Sequence, residues 1–373
     1  QQLRLAQSLA NGGALDYYII GRLDNHEDRS GYAPVREMFA HHAANEDEYR
    51  GLTSLANIAL LNGPDANQSE YRGWFRFLAE GHFQFDVIMA QAALGLPWDK
   101  YRAIIVPDYQ PISDALAAKL DDFCQRGGMV IATSRAGFCD EDYEPRPESA
   151  LRCLGIERVR LVRDDMTSSY LRLDDKTGFE RFEATDLVFL DGRYVYADYA
   201  TDVTQRLKLV PPHMFGLPER CYYTQVTDHP GFTVRRYGQG QAIYIPWEPG
   251  ALFYRQGYTN TSDWATDLLE HIIGLPRLRG NLPPMVEATL FRQEGRRSYL
   301  LHLVNGTGHF GVSFYPPAPL KDLEVVIDGR WPWGVRSLFT GEDYSFGVDS
   351  DDEFTVYVPH LELFDAIKID GYC

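Results

Sequence analysis

Apolar positions along the chain change rhythm three times. In the first stretch, Tyr17, Tyr18, Ile19, Ile20 and Gly21 form a short apolar run that predicts a buried strand. A polar, turn-rich segment follows to Gly31. Pro34 then opens a helix, at a position where its missing N–H had no partner to lose. Val35, Met38, Phe39 and His42 recur on that helix at helical spacing. From about residue 52 to 135 the pattern alternates between strand and helix. Strands are predicted over 57–62, 85–90, 103–107 and 129–133. Helices are predicted over 69–81, carrying Trp74, Phe75 and Leu78, and from the cap Ser113 to Gly127 and Gly128. Continuous apolar strands separated by amphipathic helices predict a parallel sheet covered on both faces.

Residues 155–245 are richer in short strands, with runs at 158–162, 170–173 and 187–189. They read as an elaboration of the same sheet. A sheet strand returns at 241–246, and Asn260 and Thr261 are expected to cap a helix reaching Ile273. After Pro284 the helical signal stops. Strand-like runs at 286–291, 299–304, 323–327, 335–339, 354–358 and 363–369, separated by turns, predict an antiparallel β-sandwich.

Composition narrows the class. The 373 residues are 45% hydrophobic and 24% charged, which excludes simple disorder. The formal net charge of −17 argues against nucleic-acid and anionic-membrane partners, both of which select basic surface. No apolar run approaches the ~20 residues of a membrane span, and the N-terminus has no signal-peptide core. Without an initiator Met the chain reads as a fragment or a processed product. Five cysteines, widely spaced and with no CxxC pair, fit a reduced cytoplasmic protein.

Candidate chemistry is sparse. The polar turn after the first strand holds Arg22, Asp24, Asn25, His26 and Glu27, which would lie at the C-terminal end of a barrel strand, where barrel enzymes keep their sites. Its acids and Arg suit sugar hydroxyls; a solvated loop with local ion pairs is the plainer reading. No pair of carboxylates stands out as the acid and base of a glycosidase. Cys139 is the candidate nucleophile of an amidotransferase-like cysteine hydrolase. Its flanks lack small residues, and three acids follow it. Asp108 ends a sheet strand, near where open sheets bind ligands, or simply turns the chain before Ser113. Trp247, Glu248, Tyr254, Arg255 and Tyr258 would wall a sugar cleft or, the preferred reading, form a subunit contact or pack in the core. Trp331 and Trp333 offer a sugar platform or a packed turn. No histidine spacing suggests a metal, and no cofactor is expected.

Four segments in order resemble the C-terminal half of a family-42-type β-galactosidase-like glycoside hydrolase: 15–24, 101–107, 127–133 and 238–246. The resemblance implies the end of a (β/α)8 TIM barrel over 1–50. A flavodoxin-like, class I amidotransferase-like α/β trimerisation domain would follow over 51–278, and a small antiparallel β-sandwich over 279–373. It implies a homotrimer and a carbohydrate substrate. Members carry their catalytic glutamates on earlier barrel strands, so neither is assigned to a residue here. The alternatives are a stand-alone carbohydrate-binding or assembly module and the cysteine hydrolase.

Overall fold

The computed structural model describes every residue except Ile20, Gly21, Leu23, Asn25, His26, Asp65, Phe215, Pro218, Glu294, Tyr372 and Cys373. The chain divides into two units. One comprises Gln1–Leu55, Ala79–Gln84 and the segment from Pro276 on; the other comprises Ala56–Leu78 and Phe85–Leu275.

The second unit is α/β. Its seven-stranded sheet runs in the order Val203–Arg206, Phe232–Tyr237, Gly240–Ile245, Met129–Thr133, Ala103–Val106, Ile58–Asn62, Phe85–Met89. The last five strands are parallel, and the first two are added antiparallel at one edge. Ala103–Val106 is buried at every position, as an apolar strand covered on both faces must be. Helices Gln68–Glu80 and Asp114–Gln125 follow two of these strands. Ser113 caps the second, its Oγ accepting from Leu116 N at 3.3 Å. Gly238 and Gln239 turn a hairpin between two paired strands.

Two expectations fail here. The short strands do not all extend the main sheet: Ile156–Arg163 pairs with Tyr194–Tyr199 in a two-stranded ribbon, and Ser169–Arg172, Leu187–Leu190 and Lys208–Val210 form a separate three-stranded sheet. The ribbon strand Ile156–Arg163 is largely exposed, because charged residues interrupt its apolar positions. Nor does Asn260 cap a helix. The helix Thr259–Asp267 starts without a side-chain cap, while Asn260 bonds the backbone of Phe189 and Leu187. The helix then loosens into a π turn over Leu268–Ile272.

The first unit is built on antiparallel sheets. One has five strands, in the order Leu52–Ser54, Val286–Gln293, Ser298–Asn305, Phe364–Gly371, Pro332–Ser337; another has four, Arg279–Gly280, Leu320–Asp328, Glu353–Leu361, Phe346–Ser350. They share a core in which Val286, Leu301, Leu303 and Ile367 meet Val325, Ile327, Phe354 and Val356. The other face of the five-stranded sheet is also covered. Leu5, Leu9, Val35 and Met38, from helices Gln2–Ala10 and Tyr32–Ala44, pack on Leu300, Val304 and Phe364. That double cover explains why Ser298–Asn305 is buried almost throughout instead of at alternate positions. The strand expected at 17–21 is not formed over Tyr17, Tyr18 and Ile19, which lie outside any regular element. No adjacent strand takes their backbone hydrogen bonds, and Tyr18 is exposed.

Candidate functional site

Three adjacent parallel strands end in polar residues at the same edge of the sheet. Asp108 follows Ala103–Val106 by two residues, Ser134 follows Met129–Thr133 directly, and Glu248 comes three residues after Gly240–Ile245. The carboxyl ends of parallel strands are where open α/β sheets gather polar groups and ligands. Asp108 and Ser134 are both fully buried, and both hold left-handed backbones, with φ of 43° and 49°. Neither is a glycine, so each conformation costs energy that the surroundings must offset.

The offset is a dense hydrogen-bond network. Asp108 N donates to Thr133 Oγ1 at 3.0 Å, and Arg135 N donates to Asp108 Oδ1 at 2.8 Å. Asp108 Oδ2 accepts from Asn67 Nδ2 at 3.0 Å and from Arg193 Nη1 at 3.2 Å. Asn67 also donates to Glu248 Oε1 at 3.1 Å, and Arg193 Nη1 pairs with the same oxygen. Arg193 Nε reaches Asp164 at 2.6 Å. An isolated bridge between Tyr194 and Trp247 brings Arg193 alongside Glu248. Tyr244 Oη fixes the strained turn by donating to Ser134 O at 2.6 Å.

Below this layer lies Glu70, completely buried. It accepts from Trp74 Nε1 at 2.8 Å and from Ala251 N at 2.7 Å, so it satisfies a free N–H at the start of helix Pro249–Gln256. Burial, followed by the charge of Glu248, raises the Glu70 carboxyl to about 8. Glu248 is raised to about 7 by burial and by Asp108, with Arg193 acting against both. Burial thus favours the protonated form of both glutamates. The cluster's groups are almost wholly enclosed and bonded to one another, so its evident effect is to lock the loops at the sheet's end.

Most residues singled out from sequence lie elsewhere. Arg22 and Asp24 form an exposed two-bond ion pair, at 3.0 and 2.6 Å. Glu27 is exposed. Asn25 and His26 lie outside the described residues. Trp247 is buried, its ring 5.1 Å from Trp264 and its Nε1 donating to Gly231 O. It therefore faces the core and not a cleft. Glu248 sits in the buried cluster. Tyr254, Arg255 and Tyr258 are exposed; Tyr254 Oη accepts from Arg72 Nη1 at 2.9 Å, and Tyr258 packs on Phe189. Trp331 and Trp333 each leave about half their surface open, at 53% and 54%. Cys139 is not on the strand-end turn, which Ser134 occupies. Cys139 is tied instead by bridges to Pro111 and Pro145. Asn67, Glu70, Ser134, Arg135 and Arg193 were not singled out as site residues. A polar residue within three positions of each parallel strand's end is the sequence signal that would have found Ser134 beside Asp108 and Glu248. Among the described residues no group of three His, Cys, Asp or Glu is arranged to hold a metal. No described helix is long and apolar enough to cross a membrane.

Known proteins give the cluster a setting. The model of the beta-galactosidase trimerisation domain matches residues 53–269. Beta-galactosidase BbgII of Bifidobacterium bifidum is 24% identical over 190 residues, which are 49% of this chain and 24% of that protein. Among solved structures, alpha-L-fucosidase isoenzyme 2 from Paenibacillus thiaminolyticus superposes with a TM-score of 0.79 at 22% identity, over 100% of this chain and 57% of that one. A beta-galactosidase from Bacillus circulans sp. alkalophilus gives a TM-score of 0.60 at 17% identity, over 93% and 46%. The chain thus spans about a quarter of the curated relative and about half of the two structures.

Proposed function

Because the chain belongs to the beta-galactosidase trimerisation domain family, we propose that it is the subunit-assembling C-terminal portion of a glycoside hydrolase. The enzyme would act on β-galactosides or related glycosides. The match over 53–269 carries this reading, since it covers nearly all of the α/β unit. Residues 51–278 are then the flavodoxin-like trimerisation domain and 279–373 a β-sandwich. Residues 1–50 are the end of a barrel, with Tyr32–Ala44 as its longest helix. The catalytic carboxylates lie on a barrel outside these residues, in keeping with the greater length of the relatives. The assembly is a cytoplasmic homotrimer, with no cofactor, nucleic acid or membrane among its partners.

In this reading the buried cluster serves assembly. Glu248 immediately precedes helix Pro249–Gln256, and Glu70 anchors its first turn. The far end of that helix and the turn after it expose Tyr254, Arg255 and Tyr258. Aromatic residues with Arg are enriched in interface cores. A rigid anchor lowers the entropy lost when such a helix docks. Within a cyclic trimer one heterologous contact repeats around the ring.

The test has two arms. The chain is assayed against aryl β-galactosides and aryl α-L-fucosides, the second because the fucosidase likeness covers the whole chain. No turnover is expected. Activity abolished by changing one Asp or Glu of this chain would overturn the assembly-only reading. In the second arm, Tyr254→Ala and Arg255→Ala should weaken oligomers without unfolding the unit; oligomers indifferent to both would place the contact elsewhere.

A further inference from the structure

The turn after strand Met129–Thr133 has the build of a nucleophile elbow. In such an elbow a nucleophilic side chain sits on a strained turn at the end of a strand. The N–H of the next residue faces the oxyanion that forms on the substrate. Ser134 holds the first of these places: it follows the strand directly, with φ of 49°. Its Oγ donates to Glu248 Oε1 at 3.5 Å. The next N–H is that of Arg135, and it is already taken. It donates to Asp108 Oδ1 at 2.8 Å.

The other oxygen of Asp108 is also held by groups that suit an anion. Asn67 Nδ2 lies at 3.0 Å, Arg193 Nη1 at 3.2 Å and Arg135 Nη2 at 3.6 Å. One backbone N–H, one carboxamide and two guanidiniums thus converge on a single carboxylate, which is how proteins receive such groups from outside. Arg135 Nε is a further buried donor, with no hydrogen-bond partner among the described residues. Asp108 enters this receptor from a left-handed backbone, with φ of 43°, which an aspartate adopts at a cost. Capping one turn N–H requires neither the strain nor the guanidiniums.

We propose that this strand end is a binding site for a small carboxylate, which the chain keeps closed by supplying Asp108 as its own ligand. Ser134 is thereby kept from any outside acyl group, with its hydroxyl tied to Glu248 and the N–H beside it spent. The inference stands on the strand-end geometry and does not depend on the glycosidase reading.

Asp108→Gly opens the site. Glycine takes the left-handed backbone without strain, and the lost side chain leaves a void of the size and shape of acetate, lined by the same donors. Thermal unfolding of the full chain is followed at neutral pH and constant ionic strength, with sodium acetate exchanged for sodium chloride. The midpoint of Asp108→Gly should fall well below that of the wild-type chain. It should then rise with acetate concentration until most of the fall is recovered, because a ligand bound only by the folded state stabilises it. Trimethylacetate, of the same charge but too large for the void, should do no more than chloride. The wild-type chain, its site filled, should not distinguish the three anions. Asp108→Asn fills the void but turns an amide N–H towards donors; it should be destabilised and gain nothing from acetate. If Asp108→Gly does not fold in chloride, the yield of folded chain on refolding in acetate against chloride replaces the midpoint. Equal midpoints, or equal yields, in acetate and chloride would overturn the proposal. So would an acetate effect of the same size in the wild-type chain or in Asp108→Asn.

Discussion

The two units bury ionisable groups in opposite ways. At the end of the parallel sheet, Asp108 and Glu248 are held among guanidiniums and amides, and Glu70 is held as a proton-binding acid. Between the five-stranded sheet and its helices, His41 and His302 are held neutral among rings. His302 stacks on Tyr49 and Phe364, and His41 Nε2 lies 2.7 Å from Tyr49 Oη. For Asp108 and Glu248 the first arrangement depends on a shared cation, Arg193, while Glu70 is held by two N–H donors. The second depends on keeping charge out. Loss of a partner should therefore injure the α/β unit, and gain of a proton should injure the other.

The largest expected effect comes from Arg193→Met. It removes the cation shared by Asp108 and Glu248 and leaves two enclosed carboxylates facing each other. Breaking a buried ion pair from one side costs about 3–5 kcal/mol. Urea denaturation should show a loss of that size. A loss below about 1 kcal/mol would mean that the cluster is not a stabilising lock.

Gly73→Ala should cost slightly less, about 2–3 kcal/mol, because overpacked helix contacts yield only by moving backbone. A Cβ on Gly73 would stand 1.8 Å from Gly250 O, so helix Gln68–Glu80 would have to withdraw from the start of the helix that Glu70 anchors. Thermal melting of this variant beside the neighbouring exposed Arg72→Ala isolates the steric effect. Equal midpoints would contradict the close approach.

A pH series gives the sharpest contrast. Burial lowers His302 to about 3 and His41 to about 4, so the unfolded chain binds their protons first as pH falls. Their contribution is complete above about 6.5 and is lost as pH falls towards 4 and 3. For His302 it is on the order of 3–5 kcal/mol. Glu70 and Glu248 have the reverse sign. Raised to about 8 and about 7, they favour the folded state at low pH, and that advantage is lost as pH rises from about 4.5 through those values. Glu287 and Asp365 in the first unit are also raised by burial and partly oppose its histidines. Amide exchange resolved by peptide should show strands 298–305 and 364–371 weakening on acidification. Strands 103–106 and 129–133 should weaken towards pH 8. His302→Leu should flatten the first slope and Glu70→Gln the second; parallel slopes in both units would refute the contrast.

How far the sequence reveals this molecule follows from the same physics. The strands 58–62, 103–106 and 129–133 were legible because double-sided burial makes each a continuous apolar run. The ribbons of 156–199 were not legible as separate sheets, because short strands carry no signal about which edge they join. Helix Gln2–Ala10 was missed despite Leu5 and Leu9 at helical spacing. Asp108 and Glu248 each drew notice alone, yet only the parallel strand order brings together loops so distant in sequence. Arg193 sits before a ribbon strand, and its reach to Glu248 depends on the bridge between Tyr194 and Trp247, which no local pattern encodes.

Light scattering across a dilution series tests the assembly reading most directly. A plateau at three times the chain mass, dissociating only on dilution, is the predicted result. The monomer mass at every concentration would contradict it.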